Sequence, residues 1–345
     1  MADAPIRVGV IGAGDNTRKK HLPGLQAQPG VEIVSVCNRT PESSQRVADE
    51  FGIPTVYQNW WDLIDAPDTD AIMIGTWPYM HRQATVRALQ AGKHVMCEAR
   101  MARTVAEARE MLAAAQAQPQ LVAQIVPSPM SLGVDKAIKR LLAEGYLGDV
   151  LVVEIRAGSS FIDPDAAMHW RQDYDLSGLN ILSMGIWYEA LLRWVGEATP
   201  VSAMGQVFQR MRRTADGSLK PARVPEHVDV LAQMACGAQA RLTISSVTGL
   251  AGPDMATLYG SRGTLRFTGG QLYGAQRGET ALQPIAVRPE EVGGWRVEEE
   301  FVNAIRGREV ITHTDFETGL KYMAFTEAVA RSMAENRAVP VSVYL

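Results

Sequence analysis

The chain has 345 residues, of which 46% are hydrophobic and 21% charged, with a net charge of −4. That length favours two domains over one core, and the slight negative charge removes any general electrostatic case for nucleic acid or an acidic membrane as partner. Three widely spaced cysteines, Cys37, Cys97 and Cys236, suit a reducing cytoplasm, with neither a disulfide framework nor a zinc site.

In chain order, short β-branched runs at 6–12, 31–37, 70–75, 93–97 and 121–126 alternate with helical stretches at 41–52, 81–92 and 104–118. Nearly continuous apolar strands alternating with amphipathic helices predict an α/β, doubly wound Rossmann domain with a parallel sheet covered on both faces. Pro127-Ser128-Pro129 marks the exit, giving domains 1–128 and 129–345. A helix at 134–144, a strand at 148–158 and a helical block around 178–195 follow. Strand candidates at 202–211, 229–237, 240–249, 256–269 and 279–287 then carry the glycine punctuation of antiparallel hairpins. A helix over 316–336 closes the chain. There is no internal repeat, no secretory signal pattern and no apolar run long enough for a bilayer, so a cytoplasmic protein without a membrane partner is expected.

The stretch GAGDNT (12–17) directly follows the first strand. Gly12 is placed to make the tight turn and Gly14 to let the backbone approach a pyrophosphate, with Asp15 and Asn16 in the same cofactor loop. Thr17 stands where a third glycine is usual. Its bulk predicts a late or kinked helix start, which His21-Leu22-Pro23 supports. The cations Arg18-Lys19-Lys20 either sit near a phosphate or form a solvated loop. The second strand ends in Asn38-Arg39-Thr40, with no acid for a ribose diol. Neutral Asn38 beside a guanidinium favours NADP, with NAD as the alternative; Arg39 has adenine stacking or solvent as other roles.

The segments GTWPYMH (75–81), AGKHVMCEA (91–99) and LGDVLVVEIR (147–156) resemble the glucose–fructose oxidoreductase / inositol dehydrogenase (Gfo/Idh/MocA) family. Its members show T-x-P-x-x-x-H after the fourth strand, GKHVxxEKP at the fifth, IGxV at the entry to the second domain, and a GGGxLxDxGxH helix within it. The resemblance implies a Rossmann domain followed by an α/β domain whose large open sheet often forms the oligomer interface, hence a homo-oligomer. It implies reversible hydride transfer between NAD(P) and a hydroxyl carbon of a sugar, cyclitol or related small molecule. It also adds Thr76, Trp77, His81 and Glu98 to the cofactor set, His81 starting a helix beside the cofactor and Glu98 contacting the nicotinamide ribose or capping a loop.

The departures are specific. The family's Lys-Pro pair corresponds to Ala99-Arg100, and in SGLNILSMGIWYEALLRWVG (177–196) its Asp falls on Ser183 and its His on Trp187. None of Ala99, Ser183 and Trp187 is a proton carrier near neutrality. Replacement candidates are His169 in MHWRQDYD (168–175), Arg100 as a fixed positive charge, and Ser183, Trp187 and Tyr188 on the helix, with Asn180, Ser183 and Trp187 expected on one helical face. The remaining histidines lack metal-ligand spacing, so no metal is expected. Three functions fit: an NAD(P)-dependent oxidoreductase with nonstandard proton transfer, a redox-neutral enzyme working through transient oxidation, and a non-catalytic dinucleotide sensor.

Overall fold

A computed structural model describes residues 4–345, which form two compact units. The first runs to Pro127 and includes 296–320; the second comprises 128–295 and 321–345. The chain passes from the first unit to the second between Pro127 and Ser128. The grouping of 296–320 with the first unit departs from a single boundary.

In the first unit, β1 (Ile6–Ile11), β2 (Val31–Cys37), β3 (Thr55–Val56), β4 (Ala71–Ile74), β5 (His94–Cys97) and β6 (Ala123–Ile125) make one sheet in the order β3-β2-β1-β4-β5-β6. Every pairing is parallel. This is the order of a doubly wound dinucleotide-binding sheet, and its direction reverses between β1 and β4. Burial of all four residues of β4 reflects cover on both faces.

The connecting helices start and stop where local chemistry dictates. A π-helical turn, Thr17–His21, leads into α1 (Leu22–Gln26). Next comes α2 (Pro41–Phe51), where the Thr40 hydroxyl accepts from Ser43 N–H, Pro41 occupies the first turn and left-handed Gly52 closes the end. It is followed by α3 (Trp60–Asp65), α4 (Pro78–Gln90) and α5 (Val105–Gln116), the last capped by Thr104. Because Pro78 suits a first turn, α4 begins three residues before the expected 81.

The second unit contains α6 (Asp135–Ala143), β7 (Val150–Ala157), α7 (Tyr174–Ser177), α8 (Met184–Val195), β8 (Ala198–Gln206), β9 (Met211–Arg213), β10 (Leu219–Pro221), β11 (His227–Met234), β12 (Gln239–Ser245), β13 (Met255–Gly260), β14 (Gly263–Thr268), β15 (Gln271–Gln276) and β16 (Gln283–Pro284). With β17 (Val339–Pro340), all but β9 and β10 form a nine-stranded sheet, β16-β15-β14-β13-β7-β12-β11-β8-β17, antiparallel except where β7 meets β12. Register aligns Val230, Leu242, Ile155, Ala256, Phe267 and Leu272 as one buried row across six strands. Two helices follow β16, α9 (Val297–Ile305) and α10 (Phe316–Glu335); α9 belongs to the first unit.

Several expected strands are divided. The 202–211 run stops at Gln206 because the Glu226 carboxylate accepts the N–H groups of Phe208 and Gln209 and draws the chain out of the sheet. The 256–269 run is a hairpin turning at Ser261 and Arg262. The 279–287 run pairs only at Gln283–Pro284, while Gln271–Gln276 supplies the neighbouring strand. Among the described residues no helix is long and apolar enough to cross a membrane.

Candidate active site: a dinucleotide groove and its charged edge

The carboxyl ends of β1, β2 and β4 open into a groove of about 550 Å³, where an open α/β sheet places its ligands. Gly12 turns with φ +83°, and a Cβ there would come within 2.9 Å of the Thr76 backbone nitrogen. Only glycine fits that left-handed turn and close approach. The third glycine's task is transferred across the sheet. Thr17 is buried and its hydroxyl donates to the Gly12 carbonyl at 3.2 Å. Opposite it stands Gly75, where a Cβ would lie 2.1 Å from the Thr17 hydroxyl. The expected kinked start is realised as the π turn.

Asn38 is committed to this loop. Its Oδ1 accepts from Ala13 N–H at 2.6 Å and its Nδ2 donates to the Ser43 carbonyl at 3.2 Å. Aspartate lacks the second bond's donor, so the carboxamide matches its place. Gly12, Gly14, Asn38, Arg39, Thr40, Thr76 and Trp77 all line the groove, and so do Ser43, Arg46, Trp60 and Trp61, which sequence reasoning missed. The signal for Arg46 was its spacing from Ser43, three residues along α2. The lining includes no carboxylate. Among the described residues neither exposed guanidinium, Arg39 nor Arg46, has a hydrogen bond or salt bridge. A glycine cradle without Cβ atoms beside two available cations fits a dinucleotide.

The other expected cofactor residues lie outside that lining. Asp15 is exposed and paired with Lys19 at 2.7 Å, an ion pair that holds its carboxyl below the usual range. Arg18 pairs with Glu50 at 2.5 Å, so these cations are a solvated face. His81 is fully buried. Its Nε2 stands 2.9 Å from the Thr76 carbonyl and its Nδ1 2.9 and 3.2 Å from those of Arg100 and Met101, so the ring lies between the loop after β4 and the loop after β5, and its single N–H in the neutral form donates to one of the two sides. Burial pushes its pKa down, against the pull of those carbonyls. It braces the site from behind and does not face the groove.

Glu98 ends β5, and Asn16 donates to it through Nδ2. Its Oε1 also stands 3.0 Å from His21 Nε2, while Oε2 accepts from Ala99 N–H at 3.0 Å. His21, opposed by Glu298 on its other side, holds the Glu98 carboxyl below its ordinary value although burial raises it. Sequence reasoning used His21 only to place a helix start and did not single out Glu298. Arg100, joined to Ala99 by a cis peptide bond, is only 2% exposed, which removes it as a charge freely offered to substrate.

In the second unit, α8 starts at Met184, so Asn180 and Ser183 do not share a helical face with Trp187. Leu182 has φ +43°, Ser183 is the N-cap residue without a capping bond, and Asn180 donates to the Ser177 carbonyl at 2.7 Å. Trp187 is 1% exposed and 6.4 Å from the Phe267 ring, a core position. Tyr188 stacks on Phe325 at 3.7 Å, and its oxygen accepts from Ala198 N–H at 2.8 Å. Burial pushes its phenol far up, which disfavours release of its proton. His169 lies exposed in the 158–173 loop, where it accepts from Arg171 N–H at 3.3 Å. Partial burial, then the Arg171 charge, push its pKa down. Arg171 in turn covers Trp170 at 4.2 Å.

Comparisons with known proteins agree with this geometry. Residues 6–125 match the model of an oxidoreductase family with an NAD-binding Rossmann fold, and 136–266 match the GFO/IDH/MocA C-terminal domain. The chain is 32% identical to trans-1,2-dihydrobenzene-1,2-diol dehydrogenase of Oryctolagus cuniculus over 54% of its own length and 56% of that protein's. It is 30% identical to 1,5-anhydro-D-fructose reductase of Ensifer adhaerens over 57% and 59%. The matched region thus spans little more than half of these curated relatives. A levoglucosan dehydrogenase solved with NADH and L-sorbose shares the fold at TM-score 0.84, with 20% identity over 97% of this chain and 98% of that one. Two models of one family, matched in order over 6–125 and 136–266, thus place this chain in the Gfo/Idh/MocA oxidoreductase family.

Proposed function

We propose that the protein is an NADP-dependent oxidoreductase acting on a hydroxyl or carbonyl carbon of a sugar-like or cyclitol-like small molecule. The first unit takes the dinucleotide and the second supplies the substrate site. One observation carries the cofactor choice: Arg39 and Arg46 are free to pair along a groove whose lining has no carboxylate. A 2′-phosphate suits two guanidiniums, whereas a ribose diol is served by an acid that is missing here. Gly12 and Gly14 admit the pyrophosphate, Trp60 and Trp61 offer flat surfaces for an adenine, and Glu98 faces the nicotinamide ribose. The bound nicotinamide would supply the hydride chemistry. The substrate class is supported by relatives named for anhydrofructose reduction and for D-glucoside 3-dehydrogenation in Escherichia coli (strain K12).

Proton transfer in this reading is nonstandard, because Ala99, Ser183 and Trp187 hold the places of the family's Lys, Asp and His. With Tyr188 and Arg100 buried, His169 is the remaining ionisable candidate near neutrality. The same absence favours a second reading, a redox-neutral reaction through transient oxidation, in which products accumulate without net reduced nicotinamide. The open face of the large sheet, where Met204 is 78% exposed, is assigned to contact with a second copy, and the cytoplasm is the proposed compartment.

The test is a titration of tryptophan fluorescence with NADP and NAD. The wild-type chain is expected to prefer NADP, and Arg39→Ala with Arg46→Ala to lose about tenfold or more of that preference. Equal preference in the double variant removes the phosphate assignment, and binding of neither nucleotide removes the whole reading. A sugar and cyclitol panel followed by mass spectrometry separates net redox turnover from the redox-neutral alternative.

A further inference from the structure

His21 is fully buried between two carboxylates. Its Nδ1 lies 2.5 Å from Glu298 Oε1 and its Nε2 3.0 Å from Glu98 Oε1. A neutral imidazole has one N–H and one lone pair. Two carboxylate acceptors, one at each ring nitrogen, are both served only by the imidazolium. Burial alone would discharge the ring, but the two carboxylates prevail and raise its pKa to about 9. Both oxygens of Glu98 are engaged, by His21 and Asn16 on one side and Ala99 N–H on the other. Glu298 comes from α9, 277 residues after His21, and packs so tightly over α1 that a Cβ on Gly24 would sit 2.7 Å from its carboxylate. Of the π turn's cations, Arg18 points to Glu50 and Lys19 to Asp15.

We propose that Glu298 is a positioning residue which, through the His21 imidazolium, fixes Glu98 as an oriented anion at the end of β5, and that this anion sets the balance between oxidised and reduced nicotinamide in the groove. The proposal rests on the cofactor reading above. The physical basis is charge: oxidised nicotinamide carries a positive charge that the reduced ring lacks, and a fixed carboxylate distinguishes them. With Glu298 present, the cluster keeps one net negative charge as long as His21 stays protonated. Without it, one of the two carboxylates that oppose burial is gone, His21 loses its proton at a lower pH than in the wild type, and the charge at the end of β5 becomes pH-dependent.

Two measurements test this. Nitrogen NMR of the nucleotide-free protein, with the His21 signal identified by its loss in His21→Gln, is expected to show both ring nitrogens protonated through pH 8 in the wild type. In Glu298→Gln the same signal should titrate between pH 6.5 and 8.5. Affinities for NADP+ and NADPH are then compared across that range, where the 2′-phosphate, common to both, cancels from the ratio. The wild-type ratio should stay flat. In Glu298→Gln it should shift toward NADP+ by about fivefold as pH rises, since neutral His21 leaves Glu98 uncompensated. Should Glu298→Gln fail to fold, Glu98→Gln reads the same anion, with the ratio at pH 7.5 falling about fivefold from wild type. An ordinary His21 titration in the wild type, or a flat ratio in Glu298→Gln with His21 titrating in range, overturns the proposal. Failure of the wild type to bind either nucleotide overturns the cofactor reading beneath it, and the His21 titration still reports separately whether the clamp exists.

Discussion

The two units bury charge for different ends. In the first, the enclosed charges stand around the carboxyl ends of the parallel strands: His21 between Glu98 and Glu298, and Glu300 taking bonds from Thr312, His313 and Gln124. In the second, they staple irregular chain. Arg212 and Glu226 form a buried pair whose other bonds go to the Asp163 and Ala166 carbonyls and the Phe208 and Gln209 N–H groups. Arg193 likewise joins Glu189, Asp135 and Ser131. Buried charge therefore does not by itself mark chemistry. What distinguishes the first set is that Glu98 directly follows β5 and accepts from Asn16 of the glycine loop, whereas the second satisfies loop backbone.

The largest effect should come from breaking a staple. Glu226→Ala strands the Arg212 guanidinium in a buried place and leaves two backbone N–H groups without their acceptor. A loss of about 3–5 kcal/mol in urea unfolding is expected, with nucleotide affinity of the still-folded fraction unchanged. A change in affinity with no loss of stability would erase the contrast between the units.

Gly12→Ala attacks the groove instead. The left-handed φ and the Thr76 backbone in the path of the new methyl group should cost about 1–3 kcal/mol. Nucleotide binding should weaken on the order of tenfold or more, because the loop must move from where the pyrophosphate approaches. Wild-type affinity in this variant, measured by tryptophan fluorescence, would detach the glycine loop from the cofactor.

How legible each part was in the sequence follows from the range of its interactions. The parallel sheet, the glycine loop and the α2 caps rest on contacts within one strand–helix step, and GAGDNT or Thr40-Pro41 displays them directly. Thr17 was readable as a problem, while its solution, Gly75, lies just past the end of β4. His21 and Glu298 are separated by nearly the whole chain. In the run Val297-Glu298-Glu299-Glu300-Phe301, Glu298 and Glu300 are buried while Glu299 pairs outward with Arg296, a division that three consecutive acids do not display in the sequence. The α8 face failed for a local reason: extrapolating helical spacing back to Asn180 ignores the positive φ at Leu182, which ends the periodicity before the helix begins.

The smallest effects separate two residues of the second unit that looked alike as proton carriers. Tyr188→Phe keeps the ring stacked on Phe325 but leaves the Ala198 N–H without an acceptor in the core. The expected outcome is a stability loss of about 1–3 kcal/mol and unchanged turnover in the protein that remains folded. His169→Ala removes an exposed side chain whose one backbone contact is a long bond within its own loop. Its stability should stay within about 0.5 kcal/mol of wild type, while turnover falls far more than nucleotide affinity. Because Tyr188 is held by the core and His169 only by its loop, a function shared by the two would require the phenol to give up its proton from a place where burial forbids it. Measuring kcat and urea midpoints on both variants therefore separates a proton-transfer role for His169 from a packing role for Tyr188. A silent His169→Ala would leave no ionisable candidate of the second unit in place and shift the weight to the redox-neutral reading.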